Sequence, residues 1–432
     1  MKQRVVITGL GVVAPGGVGV TEFREALEQG RSGIEHLAEL EELDFRCQLG
    51  GVPRLTDELL KSNFSELERK RLTAKGVIYG IIAGLEAWKD AGLPFPASTE
   101  AEPHWDYGCI FGTGMSGVNT LRDAIYKTDD KKVRKLGTTV VEQTMPSGIS
   151  AFLGGRLGLG NWVTSNSSAC STGTESVIMA FERIRDGKAS ILLAGSCDAD
   201  GPHVWGGFDS MRVLTYRHNE EPEKASRPMS ATASGFVPGS GGGALVLESL
   251  DSALQRGASI YGEVIGGYTN SGGQRGTGTM TAPNSQGTQR CIQGALQDAG
   301  ITSQDIDLIS GHLTSTMGDV LEVRNWSEAL HRSGTGFPMI NSVKSITGHC
   351  LSAAGSIECV AALLQLKHQF VHASLNCEDL HPEIAACIDE NRVVRKTESH
   401  KINIIAKSSF GFGDVNSCVL FKKYPTHEPN GN

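Results

Sequence analysis

Apolar residues recur along this chain with two rhythms. Short apolar or alternating runs closed by Gly, Ser or Asn predict strands, and longer segments with apolar residues three and four apart predict helices. The run RVVIT (4–8) reads as a buried strand that turns over GLGVVAPGG. TEFREALEQG (21–30) is a short amphipathic helix stopped by Gly30. LERKRLTAKGVIYGIIAGLEAWKDAG (67–92) reads as one long helix, with Ile78, Ile81, Ile82 and Leu85 apolar and Gly92 at its end. GCIFGTGMSG (108–117) is a strand entering a glycine loop. Strand and turn (161–169), helix (170–187) and strand (189–200) follow in NWVTSNSSA, CSTGTESVIMAFERIRDG and ASILLAGSCDAD. That helix has an apolar stripe at Val177, Ile178, Phe181 and Ile184, a capping-box pattern in Thr172 and Glu175, and Gly187 as its stop. The glycines of GSGGGALVLE (239–248) suit a closely packed strand.

From about residue 256 the order begins again, with a strand in IYGEVIGGY, a helix in TQRCIQGALQDAG and a strand in DIDLISGH. A second Ser- and Gly-rich turn, INSVKSITGHCLSAAG, enters the apolar helix SIECVAALLQLKH. INIIAKSS and SCVLFKK are closing strands around a GFGDVN turn, and a polar tail expected to be disordered starts near Tyr424. Each half presents a strand, a small-residue turn and a long apolar helix. We read an α/β chain with an internal duplication, its halves being 1–255 and 256–432.

Composition narrows the class. Apolar residues make up 39% and charged residues 20% of the 432 positions, a globular balance without a bias towards disorder. A net charge of −8 speaks against a general nucleic-acid binder. Two basic clusters, Arg69 to Arg71 and TDDKKVRKLG, read either as solvated surface or as a landing place for an acidic partner. The ten cysteines show no CxxC pair and sit mostly in apolar runs, as free thiols do in a reducing compartment. The apolar start is broken by Gly9 and Gly11, and the most apolar stretch, GVIYGIIAGLEAW, is interrupted by Glu86. A cytoplasmic protein without membrane insertion is expected.

Gly9, Gly11 and Ala14 match a dinucleotide fingerprint, but Pro15, Gly16 and Gly17 delay the helix it requires. DADG (198–201) opens like a calcium loop and lacks the later ligands. Neither a bound cofactor nor a metal is expected.

Three residues carry candidate chemistry. Cys170, in SNSSACSTGTES, is delivered by a small-residue turn to a helix N-terminus, where partial positive charge favours a thiolate. His312 ends the strand DLISGH, with Thr314 and Thr316 beyond it, and His349 stands in KSITGHCLSAAG five residues after Lys344. Taken singly, each reads first as a structural core residue. All three follow strand-to-loop transitions, where α/β sites gather, and they come from both halves.

At these residues the chain resembles the β-ketoacyl-acyl-carrier-protein synthases, the condensing enzymes with a Cys-His-His triad. The motifs, in the family's order, are VVITGLGVVAPGGVGV, IFGTGMSG, SSACSTGTES, ASRPMSATASGFVPGSGGGALVLE, GHLTST, NSVKSITGHCLSAAGSIE and SSFGFGDVN. The resemblance implies a duplicated thiolase-like fold of five layers, αβαβα, in a homodimer. It implies that Cys170 takes an acyl chain from the phosphopantetheine of acyl carrier protein, and that His312 and His349 promote decarboxylation of a malonyl carrier. Condensation of the two would lengthen the chain by two carbons, as in fatty acid biosynthesis. Lys344 would support the histidines, joined by Glu322. Backbone N–H groups of Cys170 and Phe412 would hold oxyanions. Thr281, Thr314 and Thr316 match positions that meet pantetheine, while Met115, Phe208 and Phe412 match positions lining or gating an acyl tunnel. Arg69, Lys70, Arg134, Lys135 and Arg212 match places that receive the acidic carrier.

The chain departs from the family pattern in several places. HGT is HLT, placing Leu313 where Gly is usual, and the segment from His312 to Glu322 is one residue short. RPFD has become RPMS, and GFGGTN has become GFGDVN. Leu313 is expected near the pantetheine entrance, where it bears on substrate choice and hints at a polyene or polyketide pathway. A chain-length-factor-like subunit would lack Cys170, and a thiolase would need a second catalytic cysteine, for which Cys350 and Cys418 are the nearest candidates.

Overall fold

A computed structural model describes residues 2–425; the expected disordered tail lies mostly outside them, and Tyr424 itself packs beside Leu250 and Ile260. Ten strands of an eleven-stranded sheet form two sets of five. The first set is β1 (Val5–Ala14), β2 (Tyr107–Thr113), β3 (Val163–Thr164), β4 (Ile191–Asp198) and β5 (Gly241–Ser249). The second is β6 (Gly262–Ser271), β7 (Leu308–Ser310), β8 (Met339–Asn341), β9 (Ile404–Gly411) and β10 (Val415–Lys422). Across the sheet the orders are β3-β2-β4-β5-β1 and β8-β7-β9-β10-β6, the same permutation twice. In both sets the first three are parallel and the last two join antiparallel. The sets meet where β1 pairs antiparallel with β6 from Val5↔Val264 to Ile7↔Gly262. The duplication expected from sequence is thus written in the topology.

Layering follows from side-chain alternation. In β5, Leu245 and Leu247 face a central layer, while Ala244 and Val246 face an outer core. The outer layer of the first half is built on α1 (Lys75–Asp90), with Ile81, Ala83 and Trp88 buried. Between the sheets lie α2 (Thr172–Arg185) and, from the second half, a helix spanning Ala354–His368. The outer layer of the second half holds α3 (Ser285–Ala299) and α4 (Gly318–Leu330) around Ile292 and Trp326. The Ala354–His368 helix is α5. It is apolar on nearly every face, as a helix covered by two sheets must be. It crosses α2 at Gly173 and Gly355, where a Cβ on either would stand 2.2 Å from Ser356 N or 2.6 Å from Thr174 N. Helices, sheet, helices, sheet, helices make the five layers expected. Among the described residues no helix is long and apolar enough to cross a membrane.

Three local expectations are corrected. The first strand does not turn at GLGVVAPGG but continues to Ala14. Its glycines serve packing: a Cβ on Gly9 or Gly11 would lie 2.2 Å or 2.0 Å from backbone oxygens of α1. The long helix over 67–92 is two helices, Glu66–Arg71 and α1, separated at Leu72, whose buried side chain turns the chain inward. Thr172 and Glu175 form no capping box. Thr172 Oγ1 accepts from Ser168 N–H at 2.9 Å, and Glu175 accepts from Asn166 Nδ2 and Ser168 Oγ, so both hold the preceding turn.

Candidate active site

The carboxyl ends of β3, β7, β8 and β9 face one cavity between the halves. Parallel strands place their following loops on the same side, which is why residues so distant in sequence converge. The β3–α2 connection carries Cys170 in a one-turn 3-10 helix, Ala169–Ser171, just ahead of α2. Ala169 has φ +48°, a left-handed conformation that projects the next residue sharply. The turn is fastened to the β9–β10 hairpin by Ser171 Oγ, which donates to Val415 O at 2.9 Å.

His312 follows β7, and His349 follows β8 after the short helical turn that begins at Lys344. One ligand atom from each of Cys170, His312 and His349 lies within 4.8 Å of the others. The imidazole rings meet edge to face, 5.4 Å between centroids. Leu351 N–H donates to His349 Nδ1 at 3.1 Å, leaving the proton of the neutral ring on Nε2. Lys344 Nζ donates to His312 O at 2.6 Å and stands 3.5 Å from His312 Nδ1. An ammonium can only donate, so this ring too is oriented with its proton on Nε2. Burial and then the Lys344 ammonium hold both imidazoles well below their ordinary pKa of 6.5.

A Cys-His-His set within 4.8 Å is also a conceivable zinc ligand group. These donors do not suit it: both Nε2 positions carry protons, and the cationic Lys344 stands against Nδ1 of His312.

The thiol departs from the sequence expectation. Burial pushes Cys170 up to about 11, against the opposing pull of Lys344 and of the Phe412 N–H that hydrogen-bonds to it. Desolvation outweighs the helix terminus, and Cys170 rests as a thiol. The Phe412 N–H already faces the sulfur, as an oxyanion donor there would have to. Cys350 and Cys418 are buried, both pushed up to about 12, and neither lines the cavity.

The cavity, about 290 Å3, is lined by Thr281, Thr314 and Thr316 and by Phe208, Phe236 and Phe412, besides Cys170, His312 and His349. Thr281 and Met317 are exposed lining residues and mark its mouth. Phe208 packs 5.7 Å from Phe236 and 6.1 Å from Phe412, ring to ring. Met115 does not reach the cavity; it packs in the neighbouring core with Phe208 and Leu351. Lys344 is buried behind the lining.

Leu313 is corrected. It is wholly buried with Ile292, Val323 and Trp326, away from the mouth, and its N–H donates to Glu322 at 2.7 Å. Alternation along the segment turns Leu313 inward while His312 and Thr314 face the cavity. Glu322 also accepts from His312 N–H at 2.6 Å, and burial raises it to about 7. The shortened segment is gathered by Asp319, which accepts from Thr314 and Ser315 N–H. Where RPFD has become RPMS, Ser230 donates at 2.6 Å to Asp379, an acid from elsewhere in the chain.

Asp414, the other departure, adopts φ +62°, which Asp tolerates better than most residues. Its carboxylate accepts from Gln274 and Asn284 N–H, each at 2.9 Å, and so ties the 272–284 loop bearing Thr281 to the Phe412 turn. Asp414→Ala removes a charged acceptor from two amides. We expect a loss of about 1–3 kcal/mol and faster cleavage of this loop in limited proteolysis; an unchanged cleavage rate would show that the tie is idle.

Of the basic residues, Arg69 and Lys70 lie exposed on the helix Glu66–Arg71, and Arg134 and Lys135 on a single exposed turn. None lines the cavity; Arg212 is exposed next to Val213, which does. Sequence reasoning missed Glu358 and Lys407, both buried behind the histidines. The signal was present in each case as a single charge inside an otherwise apolar element, SIECVAALLQL and INIIAKSS.

Comparison with known proteins converges with this geometry. Residues 2–253 match the family described as "Beta-ketoacyl synthase, N-terminal domain", and residues 261–378 match its C-terminal domain. The chain is 34% identical over 427 residues to 3-oxoacyl-[acyl-carrier-protein] synthase 2 of Vibrio cholerae, covering 98% of this chain and 99% of that protein. It is 34% identical over 429 residues to 3-oxoacyl-[acyl-carrier-protein] synthase 1 of Escherichia coli, with the same coverage of both. Among solved structures, a type II PKS ketosynthase in complex with its acyl-carrier protein superposes with a TM-score of 0.86 at 30% identity, covering 98% of this chain and 100% of that one. A beta-ketoacyl synthase from Burkholderia phymatum gives 0.86 at 27% identity with the same coverage.

Proposed function

The chain belongs to the beta-ketoacyl synthase family, and we propose that Cys170, His312 and His349 perform its chemistry. The protein is an acyl-transferring condensing enzyme that makes 3-oxoacyl-acyl-carrier-protein, the elongation step of fatty acid biosynthesis. The observation that carries the residue assignment is one thiol and two Nε2–H imidazoles within 4.8 Å of one another at a single cavity.

The thiol attacks the thioester carbonyl of an incoming acyl carrier, the oxyanion meeting the Cys170 and Phe412 N–H groups, and carrier thiol leaves. A malonyl carrier then enters past Thr281, Thr314 and Thr316. Its carbon–carboxylate bond breaks, CO2 departs with that bond's electrons left on the thioester as an enolate, and both Nε2–H groups donate to the enolate oxygen. The enolate carbon bonds to the acyl carbonyl, and the Cys170 sulfur leaves and is reprotonated. Lys344 holds His312 through its carbonyl and Nδ1. Phe208 and Phe412 wall the space for the acyl chain.

The partner in this reading is acyl carrier protein, an acidic protein received at Arg69, Lys70, Arg134, Lys135 and Arg212. Charge reversal at Arg69 and Lys70 is expected to raise the KM for carrier substrates several-fold, with kcat little changed. Insensitivity of KM both to this change and to salt would return the patch to ordinary surface. The helix Val118–Asp129 leaves Leu121, Ile125 and Tyr126 about half exposed, as the face of a homodimer would be in the isolated chain. Sedimentation at micromolar concentration that gave only the 45.9 kDa monomer would exclude that assembly. The ten free cysteines suit a cytoplasmic location.

The similarity to a type II PKS ketosynthase supports a second reading, the same reaction in a specialised pathway. Intact mass spectrometry after incubation with acyl carrier proteins bearing short, long, saturated and polyunsaturated chains tests both. A mass gain lost in Cys170→Ala establishes loading, and the chain preferred distinguishes the pathways. No gain with any chain would refute the assignment.

A further inference from the structure

The site has a second buried lysine. In β9, Ile405 faces the central layer and Ala406 the outer core, so alternation sends Lys407 among the central helices. It is wholly buried. Its Nζ stands 2.8 Å from Glu358 Oε2, while Lys344 Nζ donates to Glu358 Oε1. Lys407 also donates to Ser408 O and, at 2.9 Å, to Ser409 Oγ, which shares a 2.8 Å hydrogen bond with Thr174 Oγ1 on α2. One chain of contacts therefore runs from the helix behind Cys170, through Lys407 and Glu358, to Lys344 and His312.

The charge count of this chain is unusual. With one carboxylate between two ammonium groups, a surplus positive charge is left in a buried layer. Pairing Glu358 with Lys344 alone would be balanced, and burying an extra cation opposes folding. A group that opposes stability at this position asks for a functional reason.

We propose that Lys407 is a positioning residue of the condensing site, a second cation that keeps His312 and His349 neutral and ties His312 to the nucleophile helix. The proposal rests on the condensing reading above. Protonation of either ring at Nδ1 would set N–H against the Leu351 amide or the Lys344 ammonium, breaking the contacts that aim Nε2. The groups facing the rings are Lys344 and Lys407 from behind, Glu358 between them, Cys170 in front, Glu322 and Asp319 from α4, and each ring the other. Lys407 acts on both rings in the direction that disfavours the imidazolium. The charges acting on Glu322, which takes its proton near pH 7, are Asp319 and Lys344, so that titration is common to wild type and variant.

The test compares wild type with Lys407→Met and Lys407→Gln. The measurements are release of CO2 from malonyl-acyl-carrier protein against pH, loading of Cys170 from octanoyl-acyl-carrier protein by intact mass, and thermal unfolding. In both variants the acid limb of CO2 release is expected to move to higher pH by on the order of one unit. Loading should remain, and stability should be unchanged or raised. At the foot of the limb that displacement is a loss of roughly tenfold against wild type, disappearing at alkaline pH. An acid limb that stays in place in a folded variant overturns the proposal. So does a loss equal at every pH, which would mean a structural role only. Should neither variant fold, the same acid limb is read in Lys407→Ser, where a displacement upholds the proposal and an unmoved limb overturns it; a wild-type imidazole at this site titrating at 6.5 or above by histidine NMR overturns it as well. Wild type that neither loads nor releases CO2 refutes the condensing reading itself, and the proposal with it.

Discussion

Cys170→Ala is expected to gain no acyl mass and to lose condensation by roughly 10^4-fold or more, because no other described thiol can take its place. Cys350 and Cys418 are buried outside the cavity with raised pKa values, and the remaining cysteines are absent from its lining. Cys170→Gln should still release CO2 from the malonyl carrier, since the enolate oxygen is met by the two imidazoles and not by sulfur. His312→Ala divides the reaction in the opposite sense. Loading survives, because the sulfur keeps the Phe412 N–H, while decarboxylation and condensation fall by on the order of 10^2- to 10^3-fold with one enolate donor gone. Separate assays of loading, CO2 release and condensation read each step. A His312→Ala protein unable to load would place this histidine in acyl transfer. The neutral thiol adds a pH signature: loading should accelerate as pH rises through the neutral range, without a plateau below about 8, because burial holds Cys170 near 11.

Glu358→Gln should be the most damaging change outside the cavity. Its carboxylate is the sole buried acid between Lys344 and Lys407, and the variant leaves two ammonium groups facing each other without a counter-charge. Breaking a buried ion pair from one side costs about 3–5 kcal/mol, and a shared acid serves two partners. Chemical denaturation should show a loss of that size, together with condensation reduced even where the protein is folded, because Lys344 then loses its hold on His312. A variant as stable as wild type would mean that water reaches this layer. Glu358→Gln combined with Lys407→Met should recover part of the loss, as one uncompensated cation is less costly than two.

The three candidate residues could be picked out in the chain because each stands in a small-residue turn at the end of a strand. Such turns are local, and their composition is visible without knowing what surrounds them. Leu313 shows the limit of that visibility. Its place in GHLTST suggested the pantetheine entrance, yet side-chain alternation through a segment held by Glu322 and Asp319 turns it into the core with Trp326. Gly9 and Gly11 failed for a related reason: they looked like a turn, but what they accommodate is the backbone of a helix more than seventy residues away.

The main strands and helices, their repetition in two halves and the candidacy of Cys170, His312 and His349 were determined by the sequence alone, with Lys344 and Phe412 added by the family resemblance. Periodicity and turn chemistry depend on neighbours in the chain, and so survive without a fold. The protonation of the thiol, the tautomers of the histidines, the inward turn of Leu313 and the Lys344–Glu358–Lys407 chain were decided only by the tertiary structure. Desolvation and charge pairing depend on which groups share a dry interior, and here those groups come from both halves, brought together by the crossing of α2 and α5.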